Sequence, residues 1–268
     1  MNKSVQIAVT QANVEPWNSI WKDGQEKTWL KNKVDGSSVI HYQSIHASFF
    51  FNKFDEIHEK NRYRKNFGLW QGRIDKILAR LIPRKIPNYT FEKNTQILTV
   101  NSRSMYLLQG RRIIGLYDWF LNNTTKDFLF MTNTSSYIKQ RNLLKLVQEL
   151  NPNDAIYAGY LLPEGEAKQF VSGAGKLLSR KSVELVRDNW KMYNHEALED
   201  VALGVLMEKL GIPATPLSRV SLSTPEHVRE LQKEVIEREF HFRCKSQDIP
   251  RKDVEIMRLL HQKVTELD

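Results

Sequence analysis

Two adjacent carboxylates, Glu199-Asp200, open the segment Glu199-Asp-Val-Ala-Leu-Gly204. A carboxylate at the mouth of a sheet can take a proton from a hydroxyl, provided that it reaches that hydroxyl directly. The same pair can simply open a helix, because acidic side chains are favoured in a first turn. Further upstream, the glycines of Ser172-Gly-Ala-Gly175 would let a backbone approach a ligand closely. Placed before a helix, they would also offer that helix's N-terminus to an anion. Tight strand–helix packing accounts for them equally well, and the block fits neither a Walker loop nor the dinucleotide fingerprint. A third block is Phe128-Leu-Phe-Met-Thr-Asn-Thr-Ser-Ser-Tyr-Ile138, an apolar run that ends in Asn133-Thr-Ser-Ser136. Its amide and hydroxyls could hold a diphosphate or sugar hydroxyls, or could form a plain turn that caps the next helix. A fourth, His241-Phe-Arg-Cys-Lys245, alternates apolar and basic residues. Read as a strand, it would point Phe240 and Phe242 inward and His241, Arg243 and Lys245 to water.

The elements that must position these blocks alternate between strand and helix. Val5-Gln-Ile-Ala-Val-Thr10 reads as a buried strand, residues 24–31 as helical, and Ser38-Val-Ile-His-Tyr42 as a second strand. Gln96-Ile-Leu-Thr-Val100 and Asp127-Phe-Leu-Phe-Met131 are further strands, separated by a long helix over 103–122. Residues 136–150 read as mostly helical, 156–161 and 169–171 as strands, and 174–188 and 200–210 as helices. Two helices, 225–239 and 251–267, flank residues 240–245. Strand–helix–strand alternation predicts an α/β fold with a largely parallel sheet flanked by helices. Without a repeat, a low-complexity tract or an evident linker, one domain over 1–268 is expected, with a helical C-terminal extension over 213–268. Residues 43–90 form a basic, aromatic-rich insertion, in which Trp70, Ile74, Ile77, Leu78 and Leu81 fall at helical spacing beside Arg73, Lys76, Arg80, Arg84 and Lys85. Such a helix can lie on an anionic membrane, or pack on the sheet with a solvated basic side.

Composition narrows the classes. With 41% hydrophobic and 26% charged residues the 268-residue chain has the makings of a folded core, which excludes a disordered chain. No run of apolar residues is long enough to span a membrane as a helix, and residues 1–7 lack the apolar run of a signal peptide. One cysteine, Cys244, rules out an internal disulfide framework. A cytoplasmic location, in solution or at the inner face of a membrane, is therefore expected. The formal charge of +9 favours anionic partners. Zinc-finger spacing, RNP-like signatures and a basic tail are all missing, so nucleic acid is not the expected partner.

In order and spacing, three of the blocks resemble the fringe and β-1,3-galactosyltransferase family of inverting glycosyltransferases, which have the nucleotide-diphospho-sugar fold called GT-A. The family's aspartate-rich block is matched by Asn133-Thr-Ser-Ser-Tyr-Ile138, and its Gly-Gly-Ala-Gly-Tyr-x-x-Ser segment by Ser172-Gly-Ala-Gly-Lys-Leu-Leu-Ser179. Its Glu/Asp-Asp-Val-x-x-Gly block is met by Glu199-Asp-Val-Ala-Leu-Gly204, and Gln25-Glu-Lys-Thr-Trp-Leu30 is similar to a segment after its first strand. The resemblance implies a single GT-A-type domain in which Asp200 is the catalytic base and Glu199 its neighbour or substitute. Thr10, Gln11 and the floor Thr132, Asn133, Thr134, Ser135 and Ser136 would meet the donor, a UDP-sugar first of all. Gly173 and Gly175 would line the cleft. The family holds a divalent cation on the aspartates that this chain replaces, so no metal is expected at 133–136, because hard cations want carboxylate oxygens. Basic side chains would then face the leaving phosphate: His241, Arg243 and Lys245 first, with Lys139, Arg141, Lys176 and Arg180 as further candidates. Were a metal nonetheless required, His241, Glu199 and Asp127 would be the places to find it. The expected acceptor is a glycan or glycolipid hydroxyl, in bacterial surface polysaccharide synthesis such as capsule or lipopolysaccharide. The competing readings are a non-catalytic glycan- or nucleotide-binding module on the same fold and, on charge alone, a nucleic-acid-binding protein.

Overall fold

A computed structural model describes residues 2–12, 14–44, 85–102, 109–164, 168–195 and 197–267. The basic helix expected within 43–85 lies almost wholly outside these residues, as does the start of the helix expected over 103–122.

The core is an eight-stranded sheet in the order β3-β4-β2-β1-β5-β8-β7-β9. Its strands are β1 (Val5–Thr10), β2 (Ser37–Ser44), β3 (Tyr89–Glu92), β4 (Ile97–Val100), β5 (Phe128–Asn133), β7 (Tyr157–Glu164), β8 (Lys168–Ser179) and β9 (Ala214–Pro216). Strands β4, β2, β1 and β5 run parallel, β3 and β8 run against them, and β7 and β9 return to the common direction. The mostly parallel α/β sheet expected from the alternation of elements is what forms.

Both faces of the sheet are covered, which explains why its central strands read as unbroken apolar runs. In β1, Val5, Ile7 and Val9 pack on one face while Ala8 packs on the other; in β5, Phe128 and Phe130 oppose Leu129 and Met131. Helices α2 (Gln109–Asn123), α4 (Arg180–Asp188) and α5 (Glu199–Lys209) supply Ile113, Tyr117, Phe120, Val183 and Leu203 to the Leu129 side. Helices α3 (Gln140–Gln148) and α8 (Asp253–Leu267) supply Leu143, Ile256 and Leu260 to the Phe130 side. Also on that side lies a second sheet, ordered β10-β11-β6, of Val220–Leu222, His241–Cys244 and Ser136–Ile138. Short helices α6 (Pro225–Arg229) and α7 (Lys233–Arg238) stand where one helix over 225–239 was expected.

Three local expectations are corrected. The helical stretch near residue 24 lies earlier, as α1 (Trp17–Ser19) continuing into a π-helix at Ile20–Gln25, while Trp29 sits in the turn beyond. Ser136–Ile138 is a strand and not the start of a helix, because it pairs with β11. Residues 174–179 are strand as well: Gly175 to Ser179 are hydrogen-bonded into the ladder with β5, and the next helix begins only at Arg180. Pairing with β5 and β7 outweighs the helix propensity of Lys176-Leu-Leu178.

Arg180, one of the basic side chains considered for a phosphate, does structural work at the opposite edge of the sheet. Its guanidinium donates to the carbonyls of Leu121 (2.7 Å), Thr124 (3.1 Å) and Lys126 (3.3 Å), and it lies 5.3 Å from the Phe120 ring centre. A cation on carbonyls left over at a helix C-terminus satisfies acceptors that the helix cannot. Arg180→Gln is therefore expected to lower unfolding free energy by about 1–3 kcal/mol in urea titrations, with ligand binding by the remaining folded protein unchanged.

Candidate functional site

The carboxyl ends of β1 and β5 lie side by side, with Thr10 opposite Asn133 in the ladder. In open α/β sheets this edge is where ligands bind. Although β8 runs the other way, Thr132 pairs with Gly175, so the glycine block reaches the same edge. The Thr132 hydroxyl donates to the Ala174 carbonyl at 2.8 Å and ties the two blocks together.

The Asn133–Ser136 turn is shaped from within. Asn133 Oδ1 accepts the Ser135 backbone N–H (3.1 Å) and the Ser136 hydroxyl (3.3 Å), so the turn-forming reading of this asparagine holds. From below, Gln25 Nε2 donates to the carbonyls of Asn133 (3.1 Å) and Ser136 (2.9 Å), and Trp29 Nε1 also donates to Ser136 (3.1 Å). Thr134, Ser135 and Ser136 are buried, and Asn133 is half-buried. Of the other expected donor contacts, the Thr10 hydroxyl donates to the Tyr42 hydroxyl. Gln11 is buried, and its Oε1 has no hydrogen-bond partner among the described residues.

Gly173 and Gly175 do different things. A Cβ on Gly175 would overlap the imidazole of His241, so this glycine makes room for the histidine and offers no open surface. A Cβ on Gly173 would meet Asp200 Oδ2 at 3.4 Å, an ordinary contact, and the Gly173 N–H donates to that same oxygen at 3.2 Å. Gly173 therefore brings the sheet edge to the carboxylate pair.

The two carboxylates have separate surroundings. Glu199 makes an ion pair with Lys176, whose side chain is 1% exposed. Arg112, buried in α2 with its guanidinium 5.3 Å from the Tyr42 ring centre, adds positive potential around Glu199. Asp200 has no basic side chain within ion-pair distance among the described residues. Its oxygens accept the backbone N–H groups of Gly173 and Val201 (3.1 Å).

Opposite the turn stands a cluster of arginines. Arg251 donates to the Ser135 hydroxyl at 3.0 Å, pairs with buried Asp253, and lies 4.4 Å from the Trp17 ring centre. Arg219 donates to the Ser172 hydroxyl at 3.0 Å and stacks on Tyr160 at 4.1 Å. Arg243, on β11 opposite Ser136, completes it. Burial and the Arg243 charge pull Arg219 down to about 10; burial and Arg251 lower Arg243.

His241 is also on β11, 2% exposed, with Nε2 3.2 Å from the Ser136 hydroxyl. Burial, then the charges of Arg219 and Arg243, push it down to about 3, so it is neutral near pH 7. The expectation that His241 and Arg243 would face water is corrected: His241 is buried on the glycine block, and Arg243 is half-buried beside it. Cys244 is buried and its thiol pushed up, consistent with a structural residue. Lys245 is half-buried just after β11. Lys139 donates to the Ile236 carbonyl (3.1 Å), and Arg141 is exposed on α3. Asp127 accepts both the backbone N–H (2.8 Å) and the hydroxyl (2.9 Å) of Ser4, at the far edge of the sheet. Among the described residues, no three His, Cys, Asp or Glu side chains are grouped to hold a metal ion. Nor is any helix among them long and apolar enough to cross a membrane.

Arg112, Arg219, Arg251 and Tyr42 were not visible as site residues in the sequence. Arg219 lies in an irregular stretch between two short strands, and Arg251 precedes a helix by two residues. Neither carries a periodic or motif signal.

No family model matches the sequence, and no curated protein matches it. Among the solved structures that resemble the fold, three serve as examples. One is a glycosyltransferase involved in the glycosylation of the major capsid of PBCV-1: 10% identity, TM-score 0.46, covering 95% of this chain and 99% of that one. The apo-form glycosyltransferase GlyE of Streptococcus pneumoniae TIGR4 is 11% identical with TM-score 0.46, covering 99% of this chain and 63% of that one. Mouse xyloside xylosyltransferase 1 is 9% identical with TM-score 0.38, covering 91% and 97%. Likeness at this level does not extend to chemistry or substrate.

Two outcomes follow from this packing. Gly175→Ala is expected to destabilise the fold by about 1–3 kcal/mol by forcing His241 away, whereas Gly173→Ala stays near wild type in the same urea titration. Acid should weaken the fold through His41, pushed down to about 4 by burial, and His241. Below the ordinary value of 6.5 the unfolded chain binds protons that the native state refuses, so stability falls as pH drops and is flat above that value. Each buried histidine contributes a slope of about 1.4 kcal/mol per pH unit. Urea midpoints at pH 7.5, 6.5 and 5.5 read it, and His41→Phe should make the fall shallower.

Proposed function

We propose that the chain is a glycosyltransferase that moves a sugar from a nucleotide-sugar donor, a UDP-sugar in the first instance, to a hydroxyl of a glycan or glycolipid with inversion. The observation that carries this reading is the placement of Asp200. It is a carboxylate without a cationic partner among the described residues, anchored by the Gly173 N–H at the edge where the Thr132–Ser136 block ends. Inverting displacement needs a base on the acceptor hydroxyl and a counter-charge on the departing diphosphate. Asp200 can be the first. Glu199 is less suited, because its carboxylate is already committed to the buried Lys176 ammonium. Glu199 instead holds Lys176 and orients the start of α5, where its carbonyl accepts the Tyr193 hydroxyl at 2.8 Å.

For the counter-charge, the turn at 133–136 supplies an amide and hydroxyls and no carboxylate, so the proposed reaction does not depend on a metal held there. The basic side chains around the turn take that role. The acceptor hydroxyl gives its proton to Asp200 as its oxygen bonds to the anomeric carbon, and the bond to the diphosphate oxygen breaks with its electron pair leaving on the phosphate.

Incubation with UDP-, GDP- and CMP-sugars, with and without chelator, tests the reading through released nucleotide. Release that persists in chelator and falls at least 100-fold in Asp200→Asn, with the nucleotide still binding, is the expected result. If no donor is bound or consumed and Asp200→Asn changes nothing, transfer is excluded and a binding module on this fold remains.

A further inference from the structure

The charge around the Asn133–Ser136 turn does not balance. Arg251 meets the turn at Ser135, Arg243 lies opposite Ser136, and Arg219 binds Ser172 on the adjoining strand β8; among the described residues one carboxylate, Asp253, pairs with any of the three. Like charges held close and partly buried repel one another at a cost that rises as water is excluded. Proteins keep such groups where an opposite charge arrives to match them.

The hydrogen-bond inventory points the same way. Among the described residues, Nε of Arg219 and Nε of Arg243 are buried without an acceptor. A buried donor with nothing to bond is costly, and each one calls for a partner. Arg251 is already fixed by Ser135, Asp253 and Trp17, and Arg219 by Ser172 and Tyr160. Arg243 has no side-chain acceptor among the described residues. It lies opposite Ser136 in the β11–β6 ladder, one residue along the turn from the Ser135 hydroxyl that Arg251 binds. Two preoriented guanidinium groups thus accompany one that, among the described residues, has no side-chain acceptor. Planar forks of this kind suit phosphate oxygens.

We propose that Arg219, Arg243 and Arg251 form a diphosphate cradle with Arg243 as the central ligand, in place of a metal ion at the turn. Three guanidinium charges against Asp253 leave an excess matched by the two ionised phosphates of a nucleoside diphosphate. The Ser135 and Ser172 hydroxyls hold the outer arginines in register, and neutral His241 keeps the Ser136 side of the turn in place without adding a fourth positive charge. The proposal rests on the glycosyltransferase reading for its biological ligand, but not for its chemistry, which inorganic pyrophosphate can probe alone.

Calorimetric titration in chelator tests it, with inorganic pyrophosphate, UDP and uridine as ligands. Pyrophosphate and UDP should bind the wild-type protein, more weakly as salt rises, and Arg243→Gln should weaken both at least tenfold. Arg219→Gln should do the same, while uridine is unaffected by either change. Without ligand, Arg243→Gln should melt at the same temperature as wild type or higher, because repulsion is relieved; a lower melting temperature would show that the arginine is structural. Should Arg243→Gln not fold, Arg243→Lys and Arg219→Gln carry the comparison. The cradle is overturned if pyrophosphate binds only with added manganese, or binds all variants equally. In that outcome the transferase reading survives with a metal. Conversely, arginine-dependent pyrophosphate binding with no donor consumed leaves the cradle standing and removes the transferase.

Discussion

The contact on which the rest of the site depends is the His241 ring against Gly175. It joins the two sheets: β8 belongs to the main sheet and β11 to the small one, and no side chain larger than hydrogen at position 175 permits their approach. Because the sheets meet there, the Asn133–Ser136 turn, which leads from one sheet into the other, is held from both sides. The Thr132 hydroxyl anchors it to Ala174, and the Cys244 N–H donates to the Ser135 carbonyl at 2.7 Å. A turn so braced has little freedom to reorganise, which is the condition for fixed dipoles and charges to act on a ligand without a reorganisation cost.

Charge is divided across this braced edge. Beyond Gly173 lie Glu199 and Asp200, of which one is matched by Lys176 and the other is held by backbone N–H groups. Around the turn lie the arginines, matched only in part by Asp253. Burial raises the stakes on both sides, because screening by water is weak there. It also sets the state of His241, which stays uncharged beside two arginines and so acts through its hydrogen bond with Ser136.

Much of the fold could be read from residues alone. The apolar runs of β1 and β5 were legible because both faces of a central parallel strand are buried, and α5 was legible because an acidic first turn precedes apolar residues. The strand character of residues 174–179 was not, since Lys176-Leu-Leu178 favours a helix until β5 and β7 claim its backbone. Ser136–Ile138 was hidden for a related reason: its partner, β11, lies more than a hundred residues away.

By itself, then, the sequence determined the alternation of strands and helices, the order of the polar blocks, and the chemistry available in each. Those properties are local: they follow from periodicity, turn residues and the side chains themselves. Tertiary structure decided which groups meet. It paired Glu199 with Lys176 and left Asp200 to the backbone, turned His241 inward onto Gly175, and gathered Arg219, Arg243 and Arg251 at one turn. Side chains so far apart along the chain carry no mark of one another, and only the packing of the two sheets brings their charges within range.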